Sequence, residues 1–473
     1  LDVRGGRRFG RILVVVTAVS IVASCNGWPH FRGGPTLAGV AVESSIGVGN
    51  VGSLVERWRG SGPVTSLYDS PVVTGGRVYT GAAVYDVGGG TSCTGDPAVC
   101  APQWQLPSLS HDLLAPTTVA GGRQYRLPPW VPDGSLSAFD AAGVEGCGGT
   151  PKVCQPVRSW SHTVPEVNDD VYGMTAPVVV GSTLYTGSLE SAVGVDLASD
   201  AGCAGVPTTC PVTWAAPGVA PIVGTAVSGG TAYYVGMHSP PDYTGAVFAL
   251  DAAGSVGCGG TPKLCQPLWT GDLGLPSDKS QAAAMPPTVV DGKVYALASW
   301  QNVPVNGHFD GPAVAELKVF DAAGVDGCAG TPKVCQPLWS APLPGSTRMW
   351  TGAAVHGGRV YVPTEGGVSV FDANGVVGCG GSPKVCSPIA TMSFGWWPGT
   401  RGAVTIANGV AYVGSMDGLF AFDANLVEGC SGAPLVCQPV LHVLGGTNVT
   451  TPAVVAGQVH VLSDGQVVTL GLP

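Results

Sequence analysis

Short apolar runs alternate with small turn residues along almost the whole chain. Pro71-Val72-Val73 is followed by Gly75-Gly76 and then by Val78-Tyr79. A β-branched run, a two-residue turn able to take positive φ and a second apolar run predict a tight β-hairpin. The block recurs with its turn at Gly75-Gly76, Gly121-Gly122, Gly181-Ser182, Gly229-Gly230, Asp291-Gly292, Gly357-Gly358, Asn408-Gly409 and Ala456-Gly457. Turns repeating every ~54 residues, each opening a unit of several short strands, predict a β-propeller. A third strand follows in each unit, as at Leu136 to Asp140, and a fourth ends near Trp104, Trp160, Trp214, Trp269 or Trp339. These tryptophans are placed to wedge between blades, each burying on the order of 150–250 Å².

The ends of the repeat fix the blade count. The last unit, Thr451 to Leu470, has no fourth strand after it, whereas Leu54-Val55-Glu56-Arg57-Trp58 reads as a fourth strand with no blade before it. Pairing the two closes the ring and removes an exposed sheet edge. The expected fold is therefore all-β: an eight-bladed propeller of four-stranded antiparallel blades over residues 54–473, preceded by a Gly-rich tether at 25–53.

Composition agrees with this and narrows the function. Gly (73) and Pro (40) are about twice as frequent as in average chains, which excludes a helical bundle. A net charge of −10 offers no basic field for phosphates, so nucleic acid is excluded as a partner. Fourteen of the fifteen cysteines form seven pairs of one spacing: Cys93/Cys100, Cys147/Cys154, Cys203/Cys210, Cys258/Cys265, Cys328/Cys335, Cys379/Cys386 and Cys430/Cys437. No histidine recurs in register and no Cys-x-x-Cys-His occurs, so the pattern predicts local disulfides at hairpin tips rather than metal or haem sites. Each closed loop is worth about 2–3 kcal/mol on the chain-entropy account.

The fifteenth cysteine ends a different segment. Arg4, Arg7, Arg8 and Arg11 precede thirteen mostly apolar residues, Ile12 to Ser24. That run is short for a membrane span and fits a signal-peptide core. Val22-Ala23-Ser24-Cys25 resembles a bacterial lipobox, so residues 1–24 read as a lipoprotein signal peptide and Cys25 as the lipidated residue of a protein in the bacterial cell envelope.

The recurrent Ala-Phe-Asp-Ala-x-Gly…Trp pattern, together with Trp28-Pro29-His30-Phe31-Arg32-Gly33-Gly34-Pro35, resembles the pyrroloquinoline-quinone-type propeller repeat. The resemblance covers residues 28–473 and implies the propeller fold, with a cysteine-bearing insertion before the Trp. Dehydrogenases of that family set an adjacent Cys-Cys disulfide against the quinone and hold calcium with a Glu/Asn/Asp set. This chain has no Cys-Cys dipeptide and no local motif for the calcium set, so neither cofactor nor metal is assigned. The non-enzymatic branch, such as the lipoprotein propeller of outer-membrane assembly, is the nearer parallel.

In such blades the strand-1/2 and strand-3/4 connections share one face, which here is uniform from unit to unit. The opposite face varies and carries the candidate ligand residues Tyr68, Asp69, Asp170, Tyr172, Arg348, Trp350, Trp396, Trp397 and Arg401. The tryptophans among them lie where neither strand period nor docking repeat requires one, and suit an aromatic platform. Asp133-Gly134, Asp310-Gly311, Asp417-Gly418 and Asp464-Gly465 are most simply hairpin turns. His111, His238 and His308 show no metal or triad spacing. The expected function is a membrane-anchored, monomeric binding or scaffold module for an extracytoplasmic protein or glycan. The alternative is a divergent quinoprotein dehydrogenase or a carbohydrate-active propeller.

Overall fold

The computed structural model describes residues 27–473 apart from 44, 66–68, 108–115, 128–135, 162–175, 188–190, 207, 239–244, 262, 275–280, 302–313, 345–351 and 396–398. Eight sheets form an eight-bladed β-propeller. Blades 1–8 are numbered here by their inner strands: Val72–Thr74, Thr118–Ala120, Val178–Val180, Val219–Ser228, Thr288–Val290, Ala354–His356, Thr405–Ala407 and Ala453–Val455. These strands are Val-rich and buried because both their faces meet neighbouring blades. The following turns take positive φ, as at Gly75 (+57°) and Gly76 (+74°).

The ring closes as the sequence predicts. Val55–Gly60 pairs antiparallel with Gln466–Gly471 and so becomes the fourth strand of blade 8. Trp58 is buried there, and its indole N–H donates to the Val87 carbonyl of blade 1 at 3.2 Å. The Trp269 indole donates likewise to the Ala322 carbonyl at 3.4 Å, and the fit at the joints is also steric. A Cβ on Gly143, Gly254, Gly324 or Gly375 would lie 2.2–2.5 Å from the indole of Trp104, Trp214, Trp269 or Trp339 in the preceding blade. The aspartate three residues earlier caps the same turn: Asp140 accepts the N–H groups of Val144 and Glu145 at 2.7 and 2.9 Å. A second-strand tyrosine completes the joint, as when Tyr79 donates to the Ala141 carbonyl at 2.8 Å.

The blades are wider than four strands, and the reason lies in the cysteine loops. All seven predicted disulfides are present. Each closes a hairpin that leaves its own blade and adds a parallel strand to the outer edge of the preceding one. Val385–Cys386 of blade 6 pairs with the fourth strand of blade 5, and Leu435–Cys437 of blade 7 with that of blade 6. Ala98–Cys100 of blade 1 clasps Val55–Gly60 of blade 8. The hairpins therefore cover edges that would otherwise expose unpaired N–H and C=O groups.

The disulfides do close hairpins, as expected, and the clasp lays each of those hairpins against a neighbouring blade. In every pair the second cysteine is buried: Cys100, Cys154, Cys210, Cys265, Cys335, Cys386 and Cys437. Their partners Cys93, Cys147, Cys203, Cys258, Cys328, Cys379 and Cys430 stay partly exposed. The asymmetry follows from the parallel pairing, which lays the second cysteine against the joint between blades. Cys154 joins the apolar cluster of Trp104, Cys210 that of Trp160, and Cys265 and Cys335 that of Trp214 and Trp269. A buried sulfur there packs as a small hydrophobe and meets no ligand. These cysteines belong to the core between blades.

A further correction concerns the N-terminal segment. Residues 28–41 are not a tether but a coil threaded round the axial channel. Trp28 and Val73 exchange backbone hydrogen bonds in blade 1. The carbonyls of Pro29, Pro35, Thr36, Ala38 and Gly39 then accept the N–H groups of Val119, Val227, Val289, Val355 and Ile406 at 2.7–3.1 Å, in blades 2, 4, 5, 6 and 7. His30 meets Val179 in blade 3, and the Glu43 carboxylate accepts the Gly457 N–H of blade 8 at 2.6 Å. From blade 1 to blade 7 the contacted residue is the one two positions before the turn. The inner strands are edge strands around a channel, and the segment satisfies their inward N–H groups. Trp28, Phe31 and Leu37 are buried in consequence.

Candidate functional site

The threaded segment carries two buried ionisable groups, His30 and Arg32, to the inner strands. Arg32 projects from the threaded segment, wholly buried, and donates to Thr288 Oγ1 at 2.8 Å and to the Ala353 carbonyl. Burial lowers its pKa to about 9. Gly352 is required beside it, since a Cβ there would lie 2.3 Å from Nη1. His30 Nε2 lies 3.2 Å from both the N–H and the carbonyl of Val179. Burial depresses its pKa to about 4, outweighing the Val179 bond, so the ring is neutral at pH 7.

Asp69 is one of two predicted ligand-face residues that fall within the described part of the chain. It is not available to a ligand. Its carboxylate is fully buried and accepts Thr65 Oγ1 and the Gly81 N–H, each at 2.7 Å, and the Ser70 N–H at 2.8 Å. Burial pushes its pKa up to about 6 against those hydrogen bonds and the charge of Arg126. Arg126, which the sequence reading missed, donates to the Gly81 carbonyl at 2.5 Å and lies over the Phe139 ring at 5.1 Å. Together the pair fixes the entry to blade 1. Arg401 is half-buried in blade 7, where its backbone N–H donates to Gly414 at 3.0 Å. Tyr68, Asp170, Tyr172, Arg348, Trp350, Trp396, Trp397 and Cys25 lie outside the described residues. Asp417-Gly418 and Asp464-Gly465 do form hairpin turns.

No family model matches the chain. No curated protein matches it either. Solved structures do. The quinohemoprotein alcohol dehydrogenase of Comamonas testosteroni superposes with a TM-score of 0.60 at 13% identity, over 94% of this chain and 80% of that one. Quinohemoprotein alcohol dehydrogenase ADHIIG of Pseudomonas putida HK5 gives 0.55 at 14% identity, over 95% and 80%. BamB of Moraxella catarrhalis gives 0.47 at 14%, over 89% and 97%. The fold is similar to that of the quinoprotein dehydrogenase propellers. At these identities the likeness is one of fold alone.

The quinone chemistry of that fold can be tested against the residues present. Its family signature puts a disulfide against the cofactor. Here the seven disulfides sit in the outermost hairpins of the sheets, two strands beyond the third strand of each clasped blade and far from the axis. Among the described residues no three His, Cys, Asp or Glu side chains come together in a metal-binding group. The cysteines do not fit a quinone site, and we derive no step through one.

Proposed function

We propose that the protein is a cell-envelope propeller, lipid-anchored at Cys25, whose variable face is a binding or scaffold surface for an extracytoplasmic protein or carbohydrate. The observation that carries this reading is the course of the N-terminal segment. Trp28 is bonded at the turn end of blade 1, so only Asn26 and Gly27 separate it from Cys25. That span is about 10 Å when extended, far less than a 30-residue tether would allow. A lipid on Cys25 then holds the disulfide face close against the membrane and leaves the variable face turned away from it.

A second feature supports the same orientation. The docking turns of five blades each present an exposed valine on the disulfide face: Val144, Val256, Val325, Val376 and Val427. Water-facing apolar side chains at equivalent positions suit a surface that rests on lipid headgroups. Binding rather than catalysis is supported by the buried ionisable groups, because Asp69, His30 and Arg32 are each engaged in holding backbone. Aromatic stacking with cationic support from Arg348 and Arg401 would supply the recognition.

The experiment is fractionation together with face-specific substitution. Cys25→Ala should move the protein from the membrane to the soluble fraction, and globomycin should accumulate the precursor. Trp396→Ala with Trp397→Ala should abolish ligand capture while leaving the melting temperature unchanged. A membrane-bound Cys25→Ala protein would overturn the anchor, and full capture by the double tryptophan variant would overturn the assignment of the face.

A further inference from the structure

The disulfide face is not uniform, and the joint between blades 2 and 3 opens a cavity. Blade 3 carries Asp196-Leu197-Ala198-Ser199 where blade 2 carries Asp140-Ala141-Ala142-Gly143. The glycine position touches the preceding indole so closely that Gly143 has no room for a Cβ over Trp104. Ser199 cannot take the same seat on Trp160. The turn is displaced, and the Asp196 carboxylate caps only the Ala198 N–H, at 3.0 Å. What remains between blades 2 and 3 is a cleft of about 480 Å³.

Its lining differs from that of the five joints in which a second-strand tyrosine reaches the next docking turn. Tyr79, Tyr185, Tyr233, Tyr295 and Tyr361 all donate to the docking turn of the next blade, at 2.7–3.2 Å. Tyr125 is their counterpart in blade 2 and would reach Leu197, but Arg158 approaches that carbonyl instead, at 3.5 Å. The Tyr125 hydroxyl has no hydrogen-bond partner among the described residues and borders the cleft. Arg123 and Arg158 line the same cavity, and Arg158 lies over the Trp160 ring at 5.1 Å. Burial raises the Tyr125 pKa, while the two guanidinium charges act on it in the opposite sense. Arg123 meets Glu145 at 2.7 Å and the turn-capping Asp140 at 3.8 Å, and Arg158 meets Asp200 at 2.9 Å and donates to the Ser199 carbonyl. Glu145 and Asp200 are 60% and 85% exposed, so a ligand displaces them at little cost, while Asp140 stays in place.

We infer that this cleft is a binding site for a small organic oxyanion, a phosphate ester received by Arg123, Arg158 and the Tyr125 hydroxyl. Guanidinium forks match phosphate oxygens bidentately, and a phenol adds a neutral donor without a further charge. The source is either a free solute or the headgroup of an anionic lipid, and both present the same phosphate chemistry. The inference does not depend on Cys25 being lipidated.

Calorimetric titration of the purified full chain with phenyl phosphate and, separately, with monomeric dihexanoyl-phosphatidylglycerol tests it. Saturable binding of at least one probe below about 10 mM is expected. Tighter binding of the lipid assigns the site to a headgroup, and tighter binding of phenyl phosphate to a free solute. Arg123→Gln and Tyr125→Phe should each weaken binding about tenfold or more. Tyr125→Phe should melt as the parent does, whereas Tyr79→Phe should melt lower and bind normally. Absence of saturation by both probes would overturn the inference. So would unchanged binding in Arg123→Gln and Tyr125→Phe, or a Tyr125→Phe melting loss equal to that of Tyr79→Phe.

Discussion

Trp28 and Val73 exchange two backbone hydrogen bonds, the Trp28 N–H donating at 2.5 Å and accepting through its carbonyl at 2.9 Å. That pair starts a circuit which ends 15 residues later at the Glu43–Gly457 bond, after every blade has been touched. The propeller is thus held at its rim by the disulfide hairpins and at its axis by its own N-terminal segment.

Removing the axial segment should therefore be costly. Deleting residues 26–45 takes out the buried Trp28, Phe31 and Leu37, unpairs inner-strand N–H groups in blades 1 to 7 and frees the Gly457 turn of blade 8. Trp28→Ala alone should cost about 3–5 kcal/mol. Urea titration checks both variants. A segment acting only as a tether would leave the midpoint unmoved.

The disulfide hairpins should protect the blade they clasp. The Ser340 N–H of blade 5 donates to the Lys384 carbonyl in the hairpin of blade 6 at 3.0 Å. Replacing Cys379 and Cys386 with serine should cost about 2–3 kcal/mol. It should also accelerate hydrogen exchange at Ser340, across the blade boundary. Faster exchange confined to residues 379–386 would show that the hairpin stabilises only itself.

The response to pH has two parts of opposite sign. His30 has a folded pKa of about 4, below its unfolded value of about 6.5. Its contribution is complete above pH 6.5 and is lost as pH falls through 4, on the order of 3 kcal/mol in all. Asp69 has a folded pKa raised to about 6, so its contribution is present below pH 4 and is lost as pH rises through 6. His30→Gln should remain stable down to lower pH than the parent, and Asp69→Asn should lose less stability between pH 4 and 6. Thermal melts from pH 4 to 7.5 read both slopes.

Much of the architecture was legible because the repeat states it eight times. The Trp58 closure followed from an orphan strand at one end and a missing one at the other. Disulfide pairing followed from an invariant spacing. The blade width did not, because nothing in Val385-Cys386 says that its strand pairs with another blade. Burial of Cys154, Cys210, Cys265 and Cys335 was hidden for the same reason, since the indoles they pack against belong to different blades or lie far along the chain. The axial role of Trp28 to Ala41 was hidden by Gly and Pro, which suggest a linker. Its cause is the unpaired N–H groups of seven distant strands, and the available sign was a cluster of Trp28, Phe31 and Leu37 in a segment read as a tether. Asp69 looked like a surface acid because its partners, Thr65, Gly81 and Arg126, meet it only after folding. The cleft was written in the sequence as Ser199 in place of a glycine, a signal with meaning only once Gly143 is seen against Trp104.

The central claim, that the N-terminal segment brings the disulfide face to the membrane, is tested most directly by hydrogen exchange. The lipidated protein in nanodiscs should be compared with the soluble Cys25→Ala protein. The account predicts slower exchange in the nanodisc at the docking turns 140–145, 321–326, 372–377 and 423–428, and unchanged exchange at Asp417-Gly418 and Asp464-Gly465. Protection at the latter turns, with the docking turns exchanging as they do in solution, would contradict it.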